Sequence, residues 1–321
     1  MAVLVTACQA ERPAQIKHIG VLLSGEARSS QVDGFVDGLK EFGYREGVNV
    51  RYTVHSAKGD RAQLPVLARE LLADKPDLIA AAGGLEADAI KEAIAAGGHR
   101  VPAVVLFVNA IIERGLVESR RRPGWPVTGV DNLNAELSGK RLELLKELVP
   151  RTKRVLILSN EKIAPSRIGA QTARAAAAKL DLSMVIHDVV TRADVERVML
   201  ALKPGEVDAM LLVPNVIVEN ALREVILPQA ERLRIPIMVH SREYVEAGAL
   251  AAYGAHFHDI GQQAARLAAK VLSGVPAQNI PFETPKRFIY TVNPDVLDTL
   301  GIQPSAPARS AINELTKTRT L

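Results

Sequence analysis

Residues 128–150 read TGVDNLNAELSGKRLELLKELVP, from Thr128 to Pro150. The run Val127 to Val130 is β-branched, like a strand, and gives way at Gly129 to the polar turn Asp131-Asn132. Beyond the turn Leu137, Arg141, Leu144, Leu145 and Leu148 recur at helical spacing on adjoining faces, which predicts an amphipathic helix. Strand-helix alternations precede this stretch and begin again after it. It therefore reads as the crossing from one α/β half to another, and the function is expected in the cleft beside it.

Towards the N-terminus the alternation is regular. Ile16 to Leu23 has strand length and ends at Ser24-Gly25. Val32, Phe35, Val36, Leu39 and Phe42 then share a helix face, with Gly43 at the position that favours a left-handed cap. Val48 to Val54 alternates as a strand, and Asp60 can cap a helix carrying Leu64, Leu67, Leu71 and Leu72. Asp77 to Ala82 is a buried strand ending at Gly83-Gly84, Glu86 to Ala96 a helix, and Val104 to Val108 a strand ending at Asn109. Repeated βα units imply a parallel sheet covered on both faces.

The scheme then repeats. Strands are expected at Arg154 to Leu158, Met184 to His187, Asp208 to Val213 and Pro236 to Val239. Helices are expected at Pro165 to Leu180, Asp194 to Leu202 and Asn220 to Leu233, the last interrupted or kinked at Pro228. After Tyr253-Gly254 come a helix at Ile260 to Leu272, a strand at Phe288 to Val292 and a short helix at Asp295 to Leu300. These are too few for a third domain and must pack on the first two, so the chain passes between the halves more than once. The tail after Pro304 is expected to be loosely ordered.

At 321 residues, 48% hydrophobic and 24% charged, the chain has the size and make-up of a two-domain globular protein. Its net charge of +4 is dispersed, and the single basic run, Arg120-Arg121-Arg122, leads into a Pro-Gly turn, so nucleic acid is not an expected partner. No dinucleotide fingerprint follows Gly25 or Gly83-Gly84. Ser138-Gly139-Lys140-Arg141 lacks the upstream glycine and following hydroxyl of a phosphate loop, and there is no Gly-x-Ser-x-Gly elbow. His256-Phe257-His258-Asp259 offers two ligands on one strand face without a third, and Asp259 is better placed to cap the next helix. No enzyme activity, metal or cofactor is expected.

What remains is a set of strand ends carrying small and polar residues, the places where open parallel sheets bind ligands. They are Ser24-Gly25, Gly83-Gly84 and Asn109 in the first half, and Asn160, Asn215 and Ser241-Arg242 in the second. Asn132 at the crossing joins them. His240 and Tyr253 read either as core groups or as cleft lining. Helix N-termini at such ends present backbone N–H groups to an anion. The expected arrangement has Ser24 and the amides near Gly83-Gly84 holding an acidic group, while Asn109, Asn160, Asn215 and Arg242 orient the rest of a small solute.

The order of motifs resembles the periplasmic solute-binding proteins of ABC transporters, in the family that includes binders of aromatic amino acids. The resemblance runs from about Lys17 to Pro304. It is carried by Phe35-Val36-Asp37-Gly38-Leu39, Gly43-Tyr44, Glu46-Gly47-Val48-Asn49, Ala81-Ala82-Gly83, Gly115-Leu116-Val117, Thr128-Gly129, Leu137 to Lys146, Arg242 to Gly248 and Tyr253-Gly254. It implies a periplasmic-binding-protein fold of type I, α/β, with two doubly wound parallel-sheet domains joined by hinge strands. It also implies a solute trapped between the lobes and a permease in the inner membrane as partner. Gly84-Leu85, Asn109-Ala110-Ile111 and Ala255-His256 depart from the family's usual residues at the cleft, so the fold carries over and the ligand does not.

The expected division is a tether at 1–15, a first lobe of 16–130 plus 254–280, a second of 131–253 plus 281–305, and a tail at 306–321. The single cysteine, Cys8, follows Leu4-Val5-Thr6-Ala7, which resembles the lipobox of bacterial lipoproteins, although Met1 to Ala7 is short for a signal peptide. Lipid attachment at Cys8 and an incidental thiol both stand as readings. The functional expectation is a monomeric receptor of the periplasm or cell envelope. It would capture a carboxylate-bearing solute, an aromatic or branched amino acid or an organic acid, by hinge closure. The alternative is an extracytoplasmic sensing domain that feeds a signalling partner.

Overall fold

The computed structural model describes residues 16–97 and 100–319. Cys8 and the expected tether lie outside them. The first lobe runs β1 (Lys17–Leu23), α1 (Ser29–Glu41), β2 (Val50–Ser56), α2 (Leu64–Ala73), β3 (Leu78–Ala81), α3 (Gly84–Gly97), β4 (Ala103–Val108) and β5 (Val127–Asp131). Its five strands are parallel, in the order β2-β1-β3-β4-β5. Because side chains alternate across a strand, β1 serves two cores. Ile19, Val21 and Leu23 pack with Phe35 and Leu39 of α1, whereas Leu22 faces Leu64, Leu71 and Ile90.

The second lobe opens with α4 (Ser138–Leu148), the helix of the crossing, followed by β6 (Arg154–Ser159), α5 (Ala164–Ala177), β7 (Ser183–Asp188), α6 (Arg192–Ala201) and β8 (Ala209–Leu211). Next come α7 (Val216–Ala221), α8 (Leu227–Leu233), β9 (Ile237–Val239), α9 (Arg242–Glu246) and β10 (Ala251–Gly254). Between α7 and α8 lies one π turn, Leu222–Ile226. Pro228 has no N–H to return to the carbonyl four residues back, and the wider turn absorbs that loss instead of a sharp kink.

The chain then crosses back. α10 (Phe257–Leu272) packs along α1, where a Cβ on Gly34 would collide with the His258 carbonyl and one on Gly261 with the Gln31 carbonyl. Glycines at these positions let the two helix backbones touch. Residues 281–284 run beside β5, with Glu283 N donating to Gly129 O at 3.0 Å and Asp131 N to Glu283 O at 2.8 Å. The last crossing to the second lobe therefore comes after Glu283, a few residues beyond the expected boundary. β11 (Ile289–Val292) pairs antiparallel with β10, and α11 (Pro294–Leu300) follows.

The tail departs from expectation. α12 (Ala306–Ala311) and β12 (Glu314–Leu315) are ordered, and β12 adds the outer strand to a sheet of order β12-β11-β10-β9-β8-β6-β7. Ser305 caps α12 by accepting from Ala308 N, a signal that composition alone hides. Three segments thus join the lobes: 132–137, 255–256 and 284–288. Arg141 of α4 ties the first of them to the end of β10, just before the second. Its Nε donates to Tyr253 O and its Nη1 to Asn134 O, each at 2.7 Å, and Nη2 reaches the Asn134 side chain.

Candidate ligand-binding cleft

In the first sheet β1 sits between β2 and β3, and in the second β6 sits between β7 and β8. These are the points where successive connections leave on opposite faces, and the crevice beyond them is open to a ligand. The two lobes bring these crevices face to face. Between them lies a cavity of about 150 Å³, lined from the first lobe by Arg28, Arg61, Gly84, Phe107, Asn109 and Arg114, among others. The second lobe contributes Ile163, Pro165, Asn215, Glu219 and His240, and Asn134 of the first joining segment completes the lining. It continues into a wider chamber of about 890 Å³ that shares Arg28, Arg61, Val216 and Glu219 with it.

Local sequence explains how the first wall is built. Glu86, fully buried in the first turn of α3, accepts from Ser24 N at 2.7 Å and so fixes the loop after β1. A Cβ on Gly84 would stand 2.8 Å from Arg114 Cζ, so the guanidinium lies directly on the glycine backbone. Asp88 Oδ2 holds Arg114 Nη2 at 2.6 Å on one side, leaving Arg114 Nε without a partner among the described residues. Arg28 extends over the Phe107 ring, 5.4 Å from its centroid. An aromatic face beneath a cation is a favourable pairing and keeps the guanidinium extended across the cavity.

The second wall is carried by the first turn of α7 and the end of β9. Asn215 caps α7, its Oδ1 accepting from Ile217 N at 3.1 Å, and its Nδ2 is left unpartnered. Glu219 Oε1 accepts from Asn215 N at 3.2 Å and lies 3.7 Å from His240 Nε2. The Tyr244 ring stands edge-on to His240 at 5.1 Å. Burial raises the Glu219 carboxyl above its ordinary value, against the opposing pull of Arg28. Burial likewise drives the His240 imidazole well below its usual range, helped by Arg141 and Arg28. Both shifts run towards the neutral form, the direction in which burial drives each group.

Six of the residues read from the sequence border these chambers: Gly84, Asn109, Asn215 and His240 the inner one, Ser24 and Gly25 the outer. Gly83 lies beneath, between Glu86 Oε2 and Arg28, where a Cβ would crowd the carboxylate at 2.8 Å. The other five are placed elsewhere. Asn132 Oδ1 accepts from Asn134 N within the first hinge segment, and Asn160 Oδ1 from Lys162 N within the turn after β6. Ser241, at the cap position of α9, is buried and borders neither chamber. Arg242 binds Glu246 Oε1 at 2.9 Å and Glu314 Oε1 at 2.8 Å, the latter on the strand that the sequence left as tail. Tyr253 packs on Phe288 at 6.0 Å beside the hinge.

Arg28, Arg61, Arg114, Phe107 and Glu219 were not legible as site residues. Phe107 sits near the end of β4 and the others in loops or in the first turns of helices, and only the fold aims them inward. His258 pairs with Asp37 at 3.2 Å and His256 with Glu314 at 3.3 Å, so the His-x-His segment splits between two partners. His256, not Asp259, occupies the cap position of α10. Among the described residues no group of three or more His, Cys, Asp or Glu side chains is placed to hold a metal ion.

Relatives place this architecture. A tyrosine-binding protein of Clostridioides difficile (strain R20291) is 28% identical over 290 residues, covering 89% of this chain and 81% of its own. A solved structure of a conserved domain protein from Vibrio cholerae matches with a TM-score of 0.85 at 25% identity, over 94% of this chain and all of that one. An ABC domain in complex with L-Trp from Streptococcus pneumonia has the same fold, with a TM-score of 0.85 at 22% identity, over 94% of this chain and 100% of that one. The family description "ABC transporter substrate binding protein" matches residues 18–308. With that match spanning both lobes and all three hinge segments, the chain belongs to the ABC transporter substrate-binding family.

Proposed function

We propose that this protein is the extracytoplasmic solute receptor of an ABC importer and that its cleft captures a small carboxylate-bearing solute, an aromatic or branched amino acid or an organic acid. The observation that carries the reading is the set of polar atoms left without partners around one inter-lobe cavity. Asn109 Oδ1 and Arg114 Nε stand on one wall, Asn215 Nδ2 and His240 Nδ1 on the other. Buried polar atoms are rarely left unpaired, and four around one cavity call for a polar ligand that touches both lobes. Arg114 and the amides at the start of α3 suit a carboxylate. Leu85, Phe107, Ile163, Pro165 and Pro214 suit an apolar body.

A ligand that contacts both walls binds the closed form better than the open one, and that difference drives closure. Micromolar affinity corresponds to about 8 kcal/mol, within reach of a few charge-assisted hydrogen bonds and one buried apolar group. The tyrosine-binding relative supports an aromatic amino acid as the first solute to try. The test is a thermal-shift screen of ligand-free protein against amino acids, aromatic acids, short carboxylates and sugars. Stabilisation by carboxylates, lost in Arg114→Gln, is the expected result; at a hundredfold excess over Kd it amounts to about 2.7 kcal/mol. Stabilisation by sugars alone, or by nothing in the panel, would overturn the reading.

A further inference from the structure

The wider chamber has a charge pattern that the inner cavity does not need. Arg28, Lys58 and Arg61 face it from the first lobe and Arg223 from the second. None of the four makes an ion pair among the described residues. Glu224 borders the same space but is held by Arg192 at 2.6 Å. That leaves Glu26 and Glu219 against four cations. Lys58 is set in place by its loop: its N donates to Ser56 Oγ at 3.2 Å, and the next residue, Gly59, donates to Ser24 O at 2.7 Å.

Cations on opposing walls repel each other as the lobes close. An anion between them is attracted to both walls at once, and only in the closed form. Building on the carboxylate reading above, we infer that the solute carries a second acidic group, a carboxylate or a phosphate, at the end remote from the inner cavity. That group sits between Lys58 and Arg61 of the first lobe and Arg223 of the second. It would convert a repulsion that opposes closure into an attraction that favours it, which makes charge at the far end of the solute a determinant of specificity. Lys58 and Arg223 are exposed, so salt weakens the effect.

The experiment is calorimetric titration of the ligand-free protein with two matched pairs: L-phenylalanine against 4-carboxy-L-phenylalanine, and L-tyrosine against O-phospho-L-tyrosine. The acidic member of at least one pair should bind about tenfold tighter at low ionic strength, the scale of two or three partly exposed charge contacts. The ratio should fall as salt is added and approach one in Lys58→Gln and Arg223→Gln. An advantage confined to the first pair assigns a carboxylate, and one confined to the second a phosphate. Equal or weaker binding by both acidic members, with the parent amino acids still bound, overturns this inference and leaves the receptor reading standing. No binding by any of the four, nor by the carboxylates of the wider screen, overturns both.

Discussion

Arg141 Nε donates to the backbone carbonyl of Tyr253 at 2.7 Å, across 112 residues of sequence. The same guanidinium holds the carbonyl of Asn134, so one fully buried side chain clamps the first joining segment, 132–137, to the end of β10, just before the second. Among the described residues no carboxylate pairs with it. Burial pulls its pKa down to about 9, which still leaves it protonated at neutral pH.

Replacing Arg141 should therefore cost more than a surface arginine would. Arg141→Met strips the donors from the Asn134 and Tyr253 acceptors, and each buried acceptor left unpaired costs about 1–3 kcal/mol. The expected loss is about 3 kcal/mol in urea unfolding. Arg141→Lys should recover only part of it, because one ammonium cannot span three acceptors with the geometry of a guanidinium fork. A loss below about 0.5 kcal/mol for Met would remove the clamp from this account.

The contact of α1 with α10 leaves no room for a methyl group. Gly34→Ala and Gly261→Ala each press a Cβ against the carbonyl of the opposite helix, an atom that no rotamer change can move aside. Overpacking commonly costs 1–3 kcal/mol, and the backbone collision should put both variants at about 3 kcal/mol or more. Gly97→Ala, where nothing lies within 4 Å, is the control and should hold or gain stability. Chemical unfolding of the three variants checks this directly.

Two neighbouring groups give the empty protein a pH signature. His240 has a folded pKa below its ordinary 6.5, so its contribution to stability is present above 6.5 and is lost as the pH falls from there towards the folded value. Glu219 has a folded pKa above 4.5, so its contribution is present below 4.5 and is lost as the pH rises through the folded value. His240→Gln should flatten the acid limb below pH 6.5. Glu219→Gln should raise the melting temperature at pH 7 and lose that advantage near pH 4. Melting curves from pH 4 to 8 would show both; an unchanged acid limb in His240→Gln would sink the first.

Arg242 separates a structural role from a ligand role. Its ion pairs with Glu246 and Glu314 tie α9 to the last strand, a third of its side chain is exposed, and it borders neither chamber. Arg242→Ala should lower stability by about 1 kcal/mol and leave solute affinity unchanged in the same thermal-shift assay. A large loss of affinity with normal stability would return Arg242 to the site.

The order of elements was legible because it rests on local signals. Phe35 and Leu39 at helical spacing, the apolar runs of β1, β3 and β4, and the Leu137 to Leu148 pattern each declare their structure within a few residues. Strand ends with small polar residues also pointed to the crevice between the lobes, and Ser24, Gly84, Asn109 and Asn215 border its chambers. Short elements were missed where pairing alone makes them strands. β12 is two residues long and exists because β11 offers it an edge.

What the sequence determined by itself is therefore two parallel α/β halves, several crossings between them and a cleft at the strand ends. What only the tertiary structure decided is which charged groups face that cleft. Arg28, Arg61, Arg114 and Glu219 come from four separate elements, and no local pattern distinguishes them from solvated arginines and glutamates elsewhere. Arg242, one residue from a strand-end position, is drawn away by Glu314, 72 positions later. Side-chain direction at such positions is set by burial and by long-range partners, and those are known only once the lobes have packed.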